Sequence, residues 1–409
     1  MFILKKVNFM FIFATPLVEF DFVKYNIDDL MERFNIKCTF IDASPFLQPL
    51  AKKMVHTNKK LYEKYNIITC SSIKELEKII NKNNTALYFP MFNFYYEVRE
   101  VFHLFTKYNV KYGHINEIGA TIVSKSINTN KNYFSYLLKP KKIIAYLKHK
   151  KNLLSEKIFL DKTKFKKADF IALGGIFNEN ICKSRVLFGE DTQTIFIHSF
   201  DFEQYLDALE NGANRLFEND YCVFIDQYIP YHPDARRNGT IINEKEYFNE
   251  INKFFEMINK KCGVDIVVAS HPRANYDDKN FKYKNCKIIK NLTPLLIRDS
   301  KFVIAHFSTA ISYAVLFNKP IINLITDTFL SDSSSYSYFT KEFSSELGSK
   351  LINVTDLSES DFHEFNIPEI HKKLYNDFIR NYIKAEYFPE KNQVHFWDAF
   401  FNKYSKNRS

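Results

Sequence analysis

Glycine is scarce, nine residues in a chain of 409, which argues against folds that spend glycine freely. No Gly-x-Gly-x-x-Gly and no Gly-x-x-x-x-Gly-Lys-[Ser/Thr] occurs, so the usual dinucleotide-binding and P-loop routes to phosphate are closed. Cysteine is thin as well: Cys38, Cys70, Cys182, Cys222, Cys262 and Cys286 stand singly, without a Cys-x-x-Cys pair. A zinc cluster or redox dithiol has nothing to build on, and the six read as small buried hydrophobes, reduced in a cytoplasmic protein. No uninterrupted apolar stretch approaches the ~18 residues of a membrane-spanning helix. Residues 7–14 follow Lys5 and Lys6 and imitate the start of a signal peptide, but Asn8 interrupts the run and acidic Glu19 and Asp21 come next. A buried first strand explains that run better.

Apolar material is abundant: 46% hydrophobic residues, including 42 Phe and 25 Tyr. That excludes intrinsic disorder as the overall state and suffices for two cores. Short apolar runs alternate with stretches of helical period, the pattern of parallel α/β units. Strands are expected at residues 7–13, 37–41, 86–89, 170–173 and 194–198, then at 221–225, 265–269, 286–289, 302–305 and 321–325. Helices are expected at 27–34, 72–81, 244–260, 368–385 and 393–403, the second opened by a Ser72…Glu75 capping box. The polar stretch 211–220 marks a boundary. The expected fold class is therefore α/β, two Rossmann-like domains facing across a cleft with C-terminal helices. Residues 1–215 form the first domain, 216–385 the second and 386–409 a terminal helix.

Open parallel sheets bind ligands outside the carboxyl ends of their strands, so the residues after each strand carry the functional reading. After 265–269 comes Ser270-His271-Pro272-Arg273, where His271 can donate a hydrogen bond to a phosphate oxygen and Arg273 a charge-assisted one. After 302–305 comes His306-Phe307-Ser308-Thr309-Ala310 and a run of helical spacing, which puts two hydroxyls at an expected helix start, where anions are favoured. The Gly174-Gly175 pair after 170–173 permits a close backbone approach or a turn. His198-Ser199 ends another strand and is a weaker pointer to an acceptor site.

The order strand–His-Pro, then strand–Ser-Thr–helix–Lys-Pro–strand, over residues 265–325, resembles bacterial glycosyltransferases of the GT-B fold. It is most similar to those using CMP-activated ulosonic acids: polysialyltransferases, related sialyltransferases and Kdo transferases of surface polysaccharide assembly. The resemblance implies that His271, together with Ser308 and Thr309, holds the donor phosphate, and gives His271 a catalytic part; Pro272 and Arg273, beside His271, complete the expected phosphate-binding set. It implies a catalytic base in Asn116-Glu117-Ile118-Gly119, where Glu117 stands in a departure from the family's acidic pattern. Asp21 and Asp226, at the ends of the first strands of the two halves, are the alternative bases. No Asp-x-Asp ends a strand, so metal-independent transfer without a cofactor is expected. The expected partners are a nucleotide-sugar donor and a glycan or glycolipid acceptor. A nucleotide-sugar epimerase or glycerophosphate-type polymerase is the alternative within enzymes, and a non-catalytic basic membrane or nucleic-acid binder the alternative outside them.

The formal net charge is +10. Residues 139–167 hold eleven lysines against Glu156 and Asp161, so nine of the ten net charges sit in one segment. Interleaved apolar residues make it a basic amphipathic surface, suited to anionic lipid headgroups or an anionic acceptor. Cytoplasmic location with docking at the inner face of the membrane follows as an expectation. Most Phe and Tyr lie in core-like runs and no nucleic-acid module is visible, so no nucleic-acid partner is expected.

Overall fold

The computed structural model describes residues 8–49, 57–92, 94–116, 164–177, 187–210, 214–232, 242–272, 274, 282–328, 336–358, 362–385 and 395–406. Strands β1 (Phe9–Phe13), β2 (Cys38–Asp42), β3 (Ile68–Thr69), β4 (Leu87–Pro90), β5 (Lys111–Asn116), β6 (Phe170–Leu173) and β7 (Gln193–Phe196) form one sheet in the order β3-β2-β1-β4-β5-β6-β7. Strands β8 (Tyr221–Ile225), β9 (Asp265–Ala269), β10 (Lys287–Ile289), β11 (Val303–Ala305), β12 (Ile321–Ile325) and β13 (Lys350–Asn353) form another, in the order β10-β9-β8-β11-β12-β13. Neighbouring strands pair in parallel throughout both sheets. The α/β class with two Rossmann-like sheets is thus present, and each sheet reverses its strand order beside its first strand, between β1 and β4 and between β8 and β11.

The central strands have the composition of strands covered on both faces. β1 reads Phe-Met-Phe-Ile-Phe and β12 Ile-Ile-Asn-Leu-Ile, every residue buried, as parallel strands flanked by helices require. Three strands were not anticipated. β3 is two exposed residues, β5 mixes Lys111, Gly113 and His114 into its run, and β13 is a short edge strand. Helix Glu244–Cys262 begins at Asn243, whose side chain accepts from Lys245 and Glu246 N–H, and ends at Gly263 in the left-handed region. The Ser72 cap accepts from Glu75 N–H, but Glu75 returns its bond to Ser71 N–H, one residue earlier than the expected capping box.

The glycine deficit is met by another residue. Asn26, Asn35, Asn66, Asn109, Asn285, Asn291 and Asn318 all adopt positive φ, the region that asparagine tolerates best among residues with a side chain. Tyr228 is the exception, with φ 56°. A bulky residue there stores backbone strain of about 1–3 kcal/mol, and it lies just beyond β8.

The expected helix over 368–385 is divided. Lys372–Phe378 is α-helical, Ile379–Ile383 widens to a π turn, and Lys384 then bridges His198 in antiparallel fashion. There Ser199 N–H donates to Ile383 O (2.7 Å) and Ala385 N–H to Gly174 O (3.0 Å). The Gly174-Gly175 pair therefore admits the chain's own return and not a ligand: a Cβ at Gly175 would stand 2.1 Å from the Asn381 carbonyl oxygen.

Beyond that crossing, helix Phe396–Lys406 packs on the first sheet. Phe396, Trp397, Phe400, Phe401 and Tyr404 share a core with Phe9, Phe11, Phe89 and Phe170. Trp397 is fully buried, and its indole N–H donates to Tyr25 O (2.9 Å). Among the described residues no helix is long and apolar enough to cross a membrane. The five described cysteines are free, and burial raises the thiol pKa of each, that of Cys70 to about 11.

Candidate active site in the cleft between the sheets

A cavity of about 520 Å³ lies where the carboxyl ends of the two sheets meet. Its second-sheet wall comes from the turns after β8, β9, β10 and β11: Asp226; Ser270, His271 and Pro272; Asn291; Ser308 and Thr309. Its first-sheet wall comes from the turn after β1 and from helices Glu19–Lys24 and Phe200–Glu210, which supply Glu19, Asp21, Lys24, Asp201 and Gln204. Residues far apart in sequence meet here because each follows a parallel strand, so all leave the sheets in the same direction.

His271, Pro272, Ser308, Thr309, Asp21 and Asp226 are thereby gathered in one cavity. Glu117 and Arg273 lie outside the described residues, as does most of the lysine-rich segment. Of that segment, Lys166 is described and pairs with Asp169 at 2.8 Å. His198 does not reach the cavity: it is buried, with Nε2 2.7 Å from Glu203 Oε2.

The second-sheet wall is braced from behind. His306 is wholly buried, with Nδ1 2.7 Å from Leu324 O and Nε2 3.0 Å from Tyr247 Oη. Burial lowers its pKa to about 4, against the Leu324 carbonyl bond, so the ring is neutral, donates from Nδ1 and accepts from Tyr247. Tyr247 Oη is in turn 3.3 Å from Tyr283 Oη, which donates to Asp226 Oδ1 (3.0 Å). Asp226 Oδ1 also accepts from Tyr228 N–H (3.0 Å), and the Tyr228 ring lies nearly parallel to His271, centroids 6.4 Å apart. The strained turn thus places a ring beside His271.

Two details depart from expectation. The helix after β11 starts at Ile311 and runs only to Leu316, so Ser308 and Thr309 sit in the preceding turn. Ala310 N–H donates to Ser308 Oγ (3.3 Å). So short a helix adds little dipole, and anion binding here would rest on the hydroxyls and His271. Second, Ser270 Oγ is buried on the cavity wall without a hydrogen-bond partner in the protein. Buried hydroxyls are seldom left so, and this one is available to a polar ligand.

Asp201 was missed by sequence reasoning. It lies two residues past His198-Ser199, so the strand-end rule stopped just short of it. It is half-buried on the cavity wall, and desolvation raises its pKa against the pull of Lys24 and of hydrogen bonds with Ser312 and Tyr313. Tyr313, from the helix after Thr309, donates to Gln204 Oε1 at 2.5 Å and lies 3.3 Å from Asp201 Oδ1. Among the described residues no three His, Cys, Asp or Glu side chains converge as metal ligands.

Two facing Rossmann-like sheets, a cleft at their carboxyl ends and a terminal helix returned to the first sheet define the GT-B fold. A solved structure shares it, and others are similar. A variant of the wall teichoic acid polymerase TagF has a TM-score of 0.51 at 11% identity, over 99% of this chain and 90% of its own. Methanocaldococcus jannaschii UDP-GlcNAc 2-epimerase, solved with UDP-GlcNAc and UDP, gives 0.45 at 15% identity over 98% and 100%. The calicheamicin glycosyltransferase CalG4 gives 0.46 at 9% over 91% and 93%. At such identities the likeness concerns the fold. No family model matches the chain, and no curated protein is significantly similar in sequence.

Proposed function

We propose that the protein is a glycosyltransferase that moves a sugar from a nucleotide donor, a CMP-activated ulosonic acid, to a bacterial surface glycan or glycolipid by metal-independent transfer. The observation that carries the reading is the joint presence of His271, Ser308, Thr309 and the unpartnered Ser270 hydroxyl in one interdomain cavity. Glycosyl transfer needs the departing phosphate charge stabilised as the bond breaks. In this reading an imidazole and three hydroxyls supply that stabilisation, with Arg273 as a further cation. The His-Pro and Ser-Thr order supports CMP as the nucleotide, and the lysine-rich segment 139–167 supports docking on an anionic membrane or acceptor.

Calorimetry with CMP, UDP and CDP, followed by incubation with donors activated by each, tests the reading. CMP is expected to bind, and a CMP-activated donor to be consumed with EDTA present. His271→Ala is expected to weaken CMP about 10–100-fold, the worth of a charge-assisted hydrogen bond of about 1.5–3 kcal/mol. Binding of UDP or CDP in place of CMP overturns the donor assignment, and no nucleotide binding overturns the function.

A further inference from the structure

We propose that Asp201 is the proton acceptor of the cleft, a catalytic residue that takes the proton of the attacking acceptor hydroxyl. The assignment rests on the transferase reading of the site. The acceptor oxygen forms a bond to the anomeric carbon while the bond from that carbon to the donor phosphate oxygen breaks. The bonding pair leaves with the phosphate, which departs as the nucleotide, and the acceptor's proton passes to the Asp201 carboxylate and then to water.

Geometry selects Asp201 among the described carboxylates of the cavity, of which Glu19 is solvent-exposed. Asp21 Oδ2 accepts from Val18 N–H at 2.9 Å and closes the start of its own helix. Asp226 Oδ1 holds the Tyr228 N–H and the Tyr283 hydroxyl and belongs to the brace behind the second wall. Asp201 stands on the cavity wall at the first turn of helix Phe200–Glu210. Its hydroxyl neighbours are Ser312 and Tyr313, and Tyr313 shares its single proton between Gln204 at 2.5 Å and Asp201 at the longer distance of 3.3 Å. A carboxylate that is desolvated but weakly held by donors retains its basicity. Tyr313 also follows Ser308 and Thr309 by one turn, so the proton acceptor and the proposed phosphate site are tied through one short segment.

The groups facing Asp201 fix the expected pH response. Lys24 comes from helix Glu19–Lys24, Ser312 and Tyr313 from helix Ile311–Leu316, and Gln204 from its own helix. Glu19, Asp21, Asp226 and His271 share the cavity. Desolvation outweighs Lys24 and the hydroxyls, so the acid limb of turnover should stand above the ordinary aspartate range. Removing the Lys24 charge should move it further up.

The test compares wild type, Asp201→Asn, Lys24→Met and Glu117→Gln in nucleotide affinity and in donor consumption across pH. Asp201→Asn is expected to lower donor consumption about 100-fold or more with nucleotide affinity within twofold. Lys24→Met is expected to shift the acid limb to higher pH whatever its effect on maximal turnover, a readout that a purely structural role would not move and that stands even if Asp201→Asn misfolds. A turnover loss confined to Glu117→Gln, or an acid limb unmoved in Lys24→Met, overturns the assignment. No nucleotide binding by the wild type overturns the transferase reading, and this assignment with it. Where nucleotide binds but no donor is consumed, carbon-13 NMR titration of the Asp201 carboxyl decides. A raised pKa supports the assignment, and one at or below the ordinary range overturns it.

Discussion

At the carboxyl ends of β9 and β11 the second sheet offers an imidazole and three hydroxyls, His271 with Ser270, Ser308 and Thr309. The opposite wall, built on the first sheet, offers Glu19, Asp21 and Asp201 with Lys24 as the cation. Both sheets follow the same strand order about their first strand, so topology does not explain the contrast. The side chains placed in the strand-to-helix turns do. One scaffold, used twice, supplies a wall of imidazole and hydroxyls and a wall of carboxylates.

The supports behind the two walls differ as well. The first sheet is clasped by the terminal helix, with Trp397 fully buried among Phe9, Phe89, Phe400 and Phe401. At that helix's start, buried Glu203 binds His198, His395 and Phe396 N–H. Trp397→Ala is expected to produce the largest effect, a loss of about 3–5 kcal/mol in unfolding free energy, read by urea titration. Because the damage lies behind the first wall, CMP affinity at low urea should stay within twofold. A large loss of affinity would show that the two walls are not independent.

Acid should separate the walls in the opposite sense. His306 has a folded-state pKa of about 4 against 6.5, so the unfolded chain binds its proton first. Its contribution is full above pH 6.5 and is lost as pH falls toward 4, by about 3 kcal/mol in total. On the first wall the Glu203 carboxylate raises the pKa of His395 despite the cost of burial. That contribution is complete below pH 6.5 and is lost as pH rises through the raised value. Burial also opposes the charge of Glu203, but hydrogen bonds and charges from His198 and His395 outweigh it and hold its pKa below the usual range. Its share is lost only as pH falls through that lowered value. Hydrogen exchange at pH 7 and pH 5 should therefore show protection falling in β8, β11 and β12 more than in β1, β7 and the terminal helix. His306→Gln should flatten the difference. Equal loss on both sides would remove His306 as the acid-sensitive brace.

Much of the scaffold was legible from residue order because buried parallel strands are apolar on both faces: β6, β8, β9 and β12 fall on the expected residues. The strands that escaped notice lack that signature. β3 is too short, β13 lies on an edge, and β5 alternates polar with apolar side chains. The second wall was legible because a strand-end rule suffices for a residue such as His271. Asp201 was not, since its exposure to the cavity depends on the turn of a helix and on Tyr313 from another domain. Gly174-Gly175 left a close approach and a turn open for a related reason, because the backbone that packs against it, around Asn381, is distant in sequence.

The smallest expected effect probes the contact that joins the walls. Tyr313→Phe removes the hydroxyl that binds Gln204 and faces Asp201 while keeping the buried ring. Loss of one such hydrogen bond costs about 0.5–1.5 kcal/mol, a modest fall in Tm. Since that hydroxyl favours the charged form of Asp201, its removal raises the carboxyl pKa and shifts the acid limb of turnover to higher pH. CMP affinity should hold within twofold, because Ser308, Thr309 and His271 are untouched. An unshifted limb with weakened CMP would reverse the assignment and make Tyr313 part of the anion wall, its contact with Asp201 then serving only to hold the helix in place.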